Sequence, residues 1–148
     1  VFAGLLAVAN SLPAFTAAQV AVYDSHPITG DSPLNYFTVG FVTDDGAGQY
    51  QQAPDPSGVA TQEAGEIRCH LACNTGDTDP VITRSLAFSL VAALQGSLEA
   101  DPTLGGHVTA QSSVVSVATQ VMAIQNSQGS ASSLLVTVHY QTLTYFNP

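Results

Sequence analysis

The stretch TRSLAFSLVAALQGSLEADPTLGG, residues 83–106, decides the fold. Leu86, Leu90, Val91, Leu94 and Leu98 recur at steps of three and four, which puts them on one stripe of a helix lying on a sheet. Asp79 before Pro80 is an N-cap and first-turn pair for this helix, with Thr83 as the cap of a shorter version. Pro102 stops the helix, and Gly105-Gly106 lets the chain reverse. Two runs follow, SSVVSVATQVMAIQ from Ser112 and SLLVTVHYQTLTYF from Ser133, rich in Val, Thr and Tyr and separated by the polar linker Asn126 to Ser132. They read as a long C-terminal β-hairpin. In its second strand Leu134, Val136, Val138 and Tyr140 form the apolar face, and Thr137, His139 and Gln141 face outward. The first strand is apolar on both parities, with Val115, Val117 and Val121 on one and Val114, Met122 and Ile124 on the other. Such a strand is central and covered on both sides, bulged near Ala118 to Gln120, or in contact with a partner.

Working back toward the amino terminus, GEIRCHLACNTGD from Gly65 alternates as a strand, with Ile67, Cys69, Leu71 and Cys73 on one face and Arg68, His70 and Ala72 on the other. On a strand the two thiols stand about 13 Å apart, too far for a disulfide or a shared metal. On a helix the same spacing brings them together beside His70, so a chelating site stays open as the second reading. Free cysteine is commonly a small buried hydrophobe, and the absence of a needed disulfide fits a reducing compartment. Tyr36 to Thr43 is a further strand with Phe37, Val39 and Phe41 inward, and Gln19 to Tyr23 a short one before the Asp24 to Pro27 turn. Between Asp44 and Gly65 the Gly-, Pro- and Gln-bearing sequence lacks periodicity, which predicts a long loop at about 44–64. The opening run VFAGLLAVANSLPAFTAAQVAV is read as an amphipathic helix from Val1 to Leu12, with Phe2, Leu5, Leu6, Ala9 and Leu12 on one face and a stop near Pro13. A secretion signal is the alternative, although no basic residue precedes the apolar run. Asn10, Ser11 and Pro13 interrupt it well short of the roughly 20 apolar residues of a membrane span.

The expected order is therefore helix, three strands, helix, two strands, in one domain over residues 1–148. The fold class is α+β, a mainly antiparallel sheet with helices packed on one face. A chain of 148 residues can bury a core without disulfides or a structural metal. Charge then narrows the function. Charged residues make up 9% of the chain, lysine is absent, and Arg68 and Arg84 face eleven carboxylates, for a net charge of −9. Phosphate neutralisation needs several Lys or Arg, so nucleic-acid binding is not available to this chain alone. A surface this poor in charge also lacks the usual guard against association, which points to life inside an assembly.

No catalytic, cofactor-binding or metal-ligating residues are assigned. His26, His70, His107 and His139 are dispersed, without a His-Glu-x-x-His pattern. No Gly-x-Ser-x-Gly elbow accompanies the many serines, and no Gly-Lys-Ser/Thr follows Gly40, Gly46 and Gly48. Asp44-Asp45 and Asp77-x-Asp79 are read as turn and cap residues, because the second pair lacks the later glycine and glutamate of a calcium loop. Arg68 or Arg84 is expected in an internal or intersubunit ion pair.

VAVYDSHP, YFTVGF, GEIRCHLACNTGD, LEADPTLGG and GSASSLLVTVHYQTLTY follow the opening helix in that order. The arrangement resembles tail terminator (tail-completion) proteins of long-tailed bacteriophages, especially siphophages of actinobacterial hosts, over nearly the whole chain. The resemblance implies a virion protein assembled in the host cytoplasm, forming a hexameric ring at the head-proximal end of the tail. Its partners would be copies of itself, the tail tube protein and a head-completion or connector protein. Genomic DNA would pass through the lumen without specific binding, and no membrane, cofactor or catalytic residue is involved. Another virion connector, either a head-completion protein or a tail tube subunit, and a secreted acidic binding domain are the alternatives.

Overall fold

The computed structural model describes residues 1–25, 33–40, 48–54, 60–74, 79–108, 114–126 and 129–145. Two helices, α1 (Phe2–Ser11) and α2 (Pro13–Ala17), lead into strands β1 (Val20–Asp24), β2 (Asn35–Val39), β3 (Gly48–Pro54) and β4 (Ala60–Asn74). Helix α3 (Pro80–Ala100) and the hairpin β5 (Val114–Asn126) and β6 (Gly129–Tyr145) follow. The class is α+β, as expected. The six strands form one sheet in the order β1-β2-β4-β6-β5, with β3 also paired to β4; β1 and β2 run parallel and every other pairing is antiparallel.

Strand β4 organises this sheet. Its 15 residues pair along their whole length with β6, while its other side is shared, β2 opposite Cys69 to Ala72 and β3 opposite Thr61 to Ile67. Opposed residues in a ladder point to the same face. Phe37, Leu71 and Leu134 therefore form one row, Val39, Cys69 and Val136 a second, and Ile67 and Val138 a third, all buried. Helix α3 lies on β4, β5 and β6, and α1 and α2 on β1, β2 and α3, so the helices share one side. The predicted α3 stripe is the buried one at Leu90, Val91, Leu94 and Leu98, joined by Thr83 and Ala87, with Leu86 half-buried. The Asp79 carboxylate accepts from the Val81 N–H at 2.8 Å with Pro80 opening the helix, so the longer of the two expected starts is the one formed.

After α3 the Asp101 carboxylate accepts from the Thr103 N–H at 3.0 Å, the Gly105 N–H at 2.9 Å and the Thr103 hydroxyl. These bonds hold its carboxyl below the usual range, the Thr103 hydroxyl foremost. The turn they build carries Leu104 at φ 53°, followed by Gly105 and Gly106, also at positive φ. A branched side chain at that φ is strained, and Leu104 repays it by burial, at 1% exposure. It packs on Gly4 of α1, where an added Cβ would lie 2.9 Å from the Leu104 Cβ and 2.8 Å from that of His107. The LEADPTLGG segment is thus a clamp between the end of α3 and α1 as well as a reversal.

Several expectations are corrected. The predicted loop at 44–64 holds β3 and the start of β4, making four strands before α3 instead of three; Asp44 and Asp45 lie outside the described residues. The first helix does stop before Pro13, at Ser11, but a second, unexpected helix follows: the chain turns at Leu12 and Pro13 opens α2, whose Phe15 packs edge-on against Phe37 with ring centroids 5.4 Å apart. The polar linker Asn126 to Ser132 is mostly strand, since Asn126 already pairs with Gly129. Among the described strands β5 is outermost, not central, and it is not bulged: its register with β6 is unbroken from Val114↔Gln141 to Asn126↔Gly129. The second sheet face is not uniformly wet, because Thr38, His70 and Ser133 on it are buried. The opening run is helical, with Leu5, Ala9 and Leu12 in the core, although Phe2 stays 42% exposed. Phe41 and the His26-Pro27 end of the first turn lie outside the described residues.

Candidate functional site

On the sheet face opposite the helices, three strands build a polar depression of about 390 Å³. Ladder pairing sets Gln51, Ala64 and Gln141 side by side across β3, β4 and β6, and Gln49, Glu66 and His139 in the next row of the same face. Ala64 is the low floor, and the longer side chains rise around it. Arg68, one step further along β4, donates from Nη2 to Glu66 Oε1 at 2.9 Å, and His139 Nδ1 stands 3.9 Å from Glu66 Oε2. The expected internal ion pair is thus made by Arg68. The depression offers amide donors and acceptors around a neutralised pair, which suits hydrogen bonding to another polar surface.

The strands approach closely here because residue 65 is glycine. Tyr140 is opposite it, and a Cβ on Gly65 would come within 2.7 Å of the Tyr140 hydroxyl oxygen and 2.5 Å of the Gln49 carbonyl. The tyrosine covers the bare backbone that the glycine leaves.

The structure brings together groups that the sequence left apart. His70 Nε2 and the Ser133 hydroxyl are hydrogen-bonded across β4 and β6, and the Tyr36 ring meets the His70 ring edge-on at 5.6 Å. Both His70 and Ser133 are 8% exposed, diagonal across the ladder in which His70 opposes Leu135 and Ser133 opposes Ala72, and neither lines the depression, so the bond serves as a strand-to-strand tie. Only the β4–β6 register could have revealed it, or the Glu66–His139 approach. Cys69 and Cys73 lie on a strand, which removes the helical chelating alternative. Burial pushes the Cys69 thiol up to about 12, partly offset by a hydrogen bond from the Gly40 backbone, and the Cys73 thiol up to about 11. Such thiols are inert at neutral pH because the thiolate is the nucleophile. Asp79 is a helix cap, and Asp77 and His26 lie outside the described residues. Among the described residues no three His, Cys, Asp or Glu side chains group as metal ligands.

The remaining chemistry is at the sheet's margins. Among the described strands the outermost are β5, whose 13 residues VVSVATQVMAIQN include no charge or proline, and at the other end the five-residue β1. Unpaired N–H and C=O groups on such edges are templates for another strand. Neither a protein-family profile nor a curated protein sequence matches the chain.

Proposed function

We propose that the chain is a structural virion protein, a ring-forming tail terminator of a long-tailed bacteriophage. It would stop growth of the tail tube at the head-proximal end and present the surface on which the head joins. The observation that carries the assembly part of this reading is the unguarded β5 edge. A free protein blunts a long apolar edge with charge, proline or a bulge, and this chain uses none of them there. The phage part rests on the order of segments from VAVYDSHP to GSASSLLVTVHYQTLTY. The rest of the chain is consistent with a passive part: buried cysteines, a histidine tied between strands, and a polar face suited to docking.

A ring of such subunits is negatively charged, and an acidic lumen lets DNA pass without adhering, by the electrostatics that makes basic grooves bind. Contacts to the tail tube and to a head-completion protein would then use hydrogen-bonding groups such as Gln49, Gln51 and Gln141, together with apolar side chains. The test is to add purified protein to growing tail tubes. A terminator binds one tube end and halts elongation; incorporation along the length identifies a tube subunit, and indifference to tubes refutes a tail role.

A further inference from the structure

We infer that the outer face of α3 is a self-recognition surface, on which a second copy of the chain lays its own α3 antiparallel across a two-fold axis. The pairing belongs to the free protein; it is separate from the ring contacts of the proposed function and does not rest on them. A helix lying on a sheet normally turns a polar face outward. Helix α3 instead leaves Val81 64%, Ile82 49% and Phe88 42% exposed, and it is long and apolar enough by composition to cross a membrane. Its outward residues Val81, Ser85, Phe88, Ala92, Gln95 and Glu99 follow one another at alternating steps of four and three. That is the spacing with which one helix packs along another.

The occupant is identified because this row is complementary to its own reverse. About a two-fold axis level with Leu90, Phe88 meets Ala92 of the second copy, a large side chain over a small one, and Ser85 meets Gln95, a hydroxyl beside an amide. Each match occurs twice, since a two-fold contact is isologous. Such an axis also brings like flanks together. On one flank Ser89 and Gly96 are exposed and small, and a Cβ on Gly96 would meet nothing within 4 Å, so the two backbones can approach. On the other flank Arg84 comes to Gln95 and Glu99 of the second copy. Arg84 is exposed and pairs with no carboxylate among the described residues, while Glu99 accepts from Gln95 Nε2 at 2.8 Å through Oε1 and keeps Oε2 for a guanidinium. In a chain of charge −9, the two arginine–glutamate pairs fall where two copies would otherwise repel. A parallel pairing would level Arg84 with Arg84 and Phe88 with Phe88, and lose both matches. A membrane fits less well, because surface helices draw on Lys and Arg for anionic lipid, and this chain has two.

The experiment is thiol cross-linking of the full chain with a short bismaleimide. A contact made by one helix face belongs with the small, transient interfaces, so it is read in concentrated protein, at about 1 mM, and is lost on dilution. Ser85→Cys and Gln95→Cys are made separately at these exposed positions, and circular dichroism with thermal melting checks that each is folded. The buried Cys69 and Cys73 stay unlabelled. Each variant alone should remain monomeric, because in the antiparallel pair like positions lie about 15 Å apart along the axis, at roughly 1.5 Å per residue. Their equimolar mixture should give a covalent dimer. Adding Arg84→Glu to both should lower the yield severalfold, and adding Glu99→Arg as well should restore it. A mixture that does not cross-link, single variants that cross-link as well as the mixture, or a yield indifferent to Arg84→Glu would overturn the inference. So would a full chain that floats with phosphatidylcholine–phosphatidylglycerol vesicles, loses them with Phe88→Glu and shows no cross-link. A pair that forms in a protein indifferent to tail tubes refutes the terminator reading and leaves this contact standing; tube capping without the cross-link does the reverse.

Discussion

Single residues carry more of this structure than their chemistry suggests. Gly4 is hydrogen-sized because Leu104 and His107 press on it, with the Leu104 carbonyl 3.2 Å from where a Cβ would stand. Gly4→Ala would raise helix propensity, yet it should destabilise the chain by about 1–3 kcal/mol through overpacking, measured by urea unfolding. The two thiols predict a pH dependence. Each binds its proton more tightly folded than unfolded, so their contribution is full below the ordinary thiol value of 9.0 and is lost as pH rises through about 11 for Cys73 and about 12 for Cys69. Denaturation midpoints should therefore fall above pH 9.0, and replacing both cysteines with alanine should remove that part of the fall. A disulfide reagent should label neither thiol at pH 8 until the chain is unfolded.

At the scale of elements, legibility followed the source of each element's stability. Helix α3 and strands β4 and β6 carry their own apolar stripe or alternation, so their faces were readable from Leu90, Ile67 or Val136 alone. Strand β3 was not. GQYQQAP has a glycine at one end, a proline at the other and no alternation, and it is a strand because β4 offers it a ladder. Its loss also hid the depression, whose rows require the β3–β4 and β4–β6 registers together. Helix α2 was missed because a proline that stops one helix is equally at home opening the next. The packing of α3 gives a prediction at this scale. Leu94 is fully buried between helix and sheet, so Leu94→Ala should cost about 2–5 kcal/mol in chemical denaturation. Phe88→Ala on the exposed side should leave stability nearly unchanged. Similar losses for both would contradict the division of α3 into a core face and an exposed face.

The described residues form two layers, helices on one side and a sheet whose other face is largely polar. Among the described residues, Phe2, Leu34, Val81, Ile82 and Phe88 are the large apolar side chains left exposed. A net charge of −9 with two arginines leaves association to apolar and hydrogen-bonding surfaces, which are what the edges and the glutamine-lined depression provide. The proposed role is tested most directly by electron cryo-microscopy of the phage particle proposed to contain this chain. It predicts a single closed ring of copies at the head-proximal end of the tail. Density for the chain repeated along the tube, confined to the capsid, or missing from the particle would contradict it.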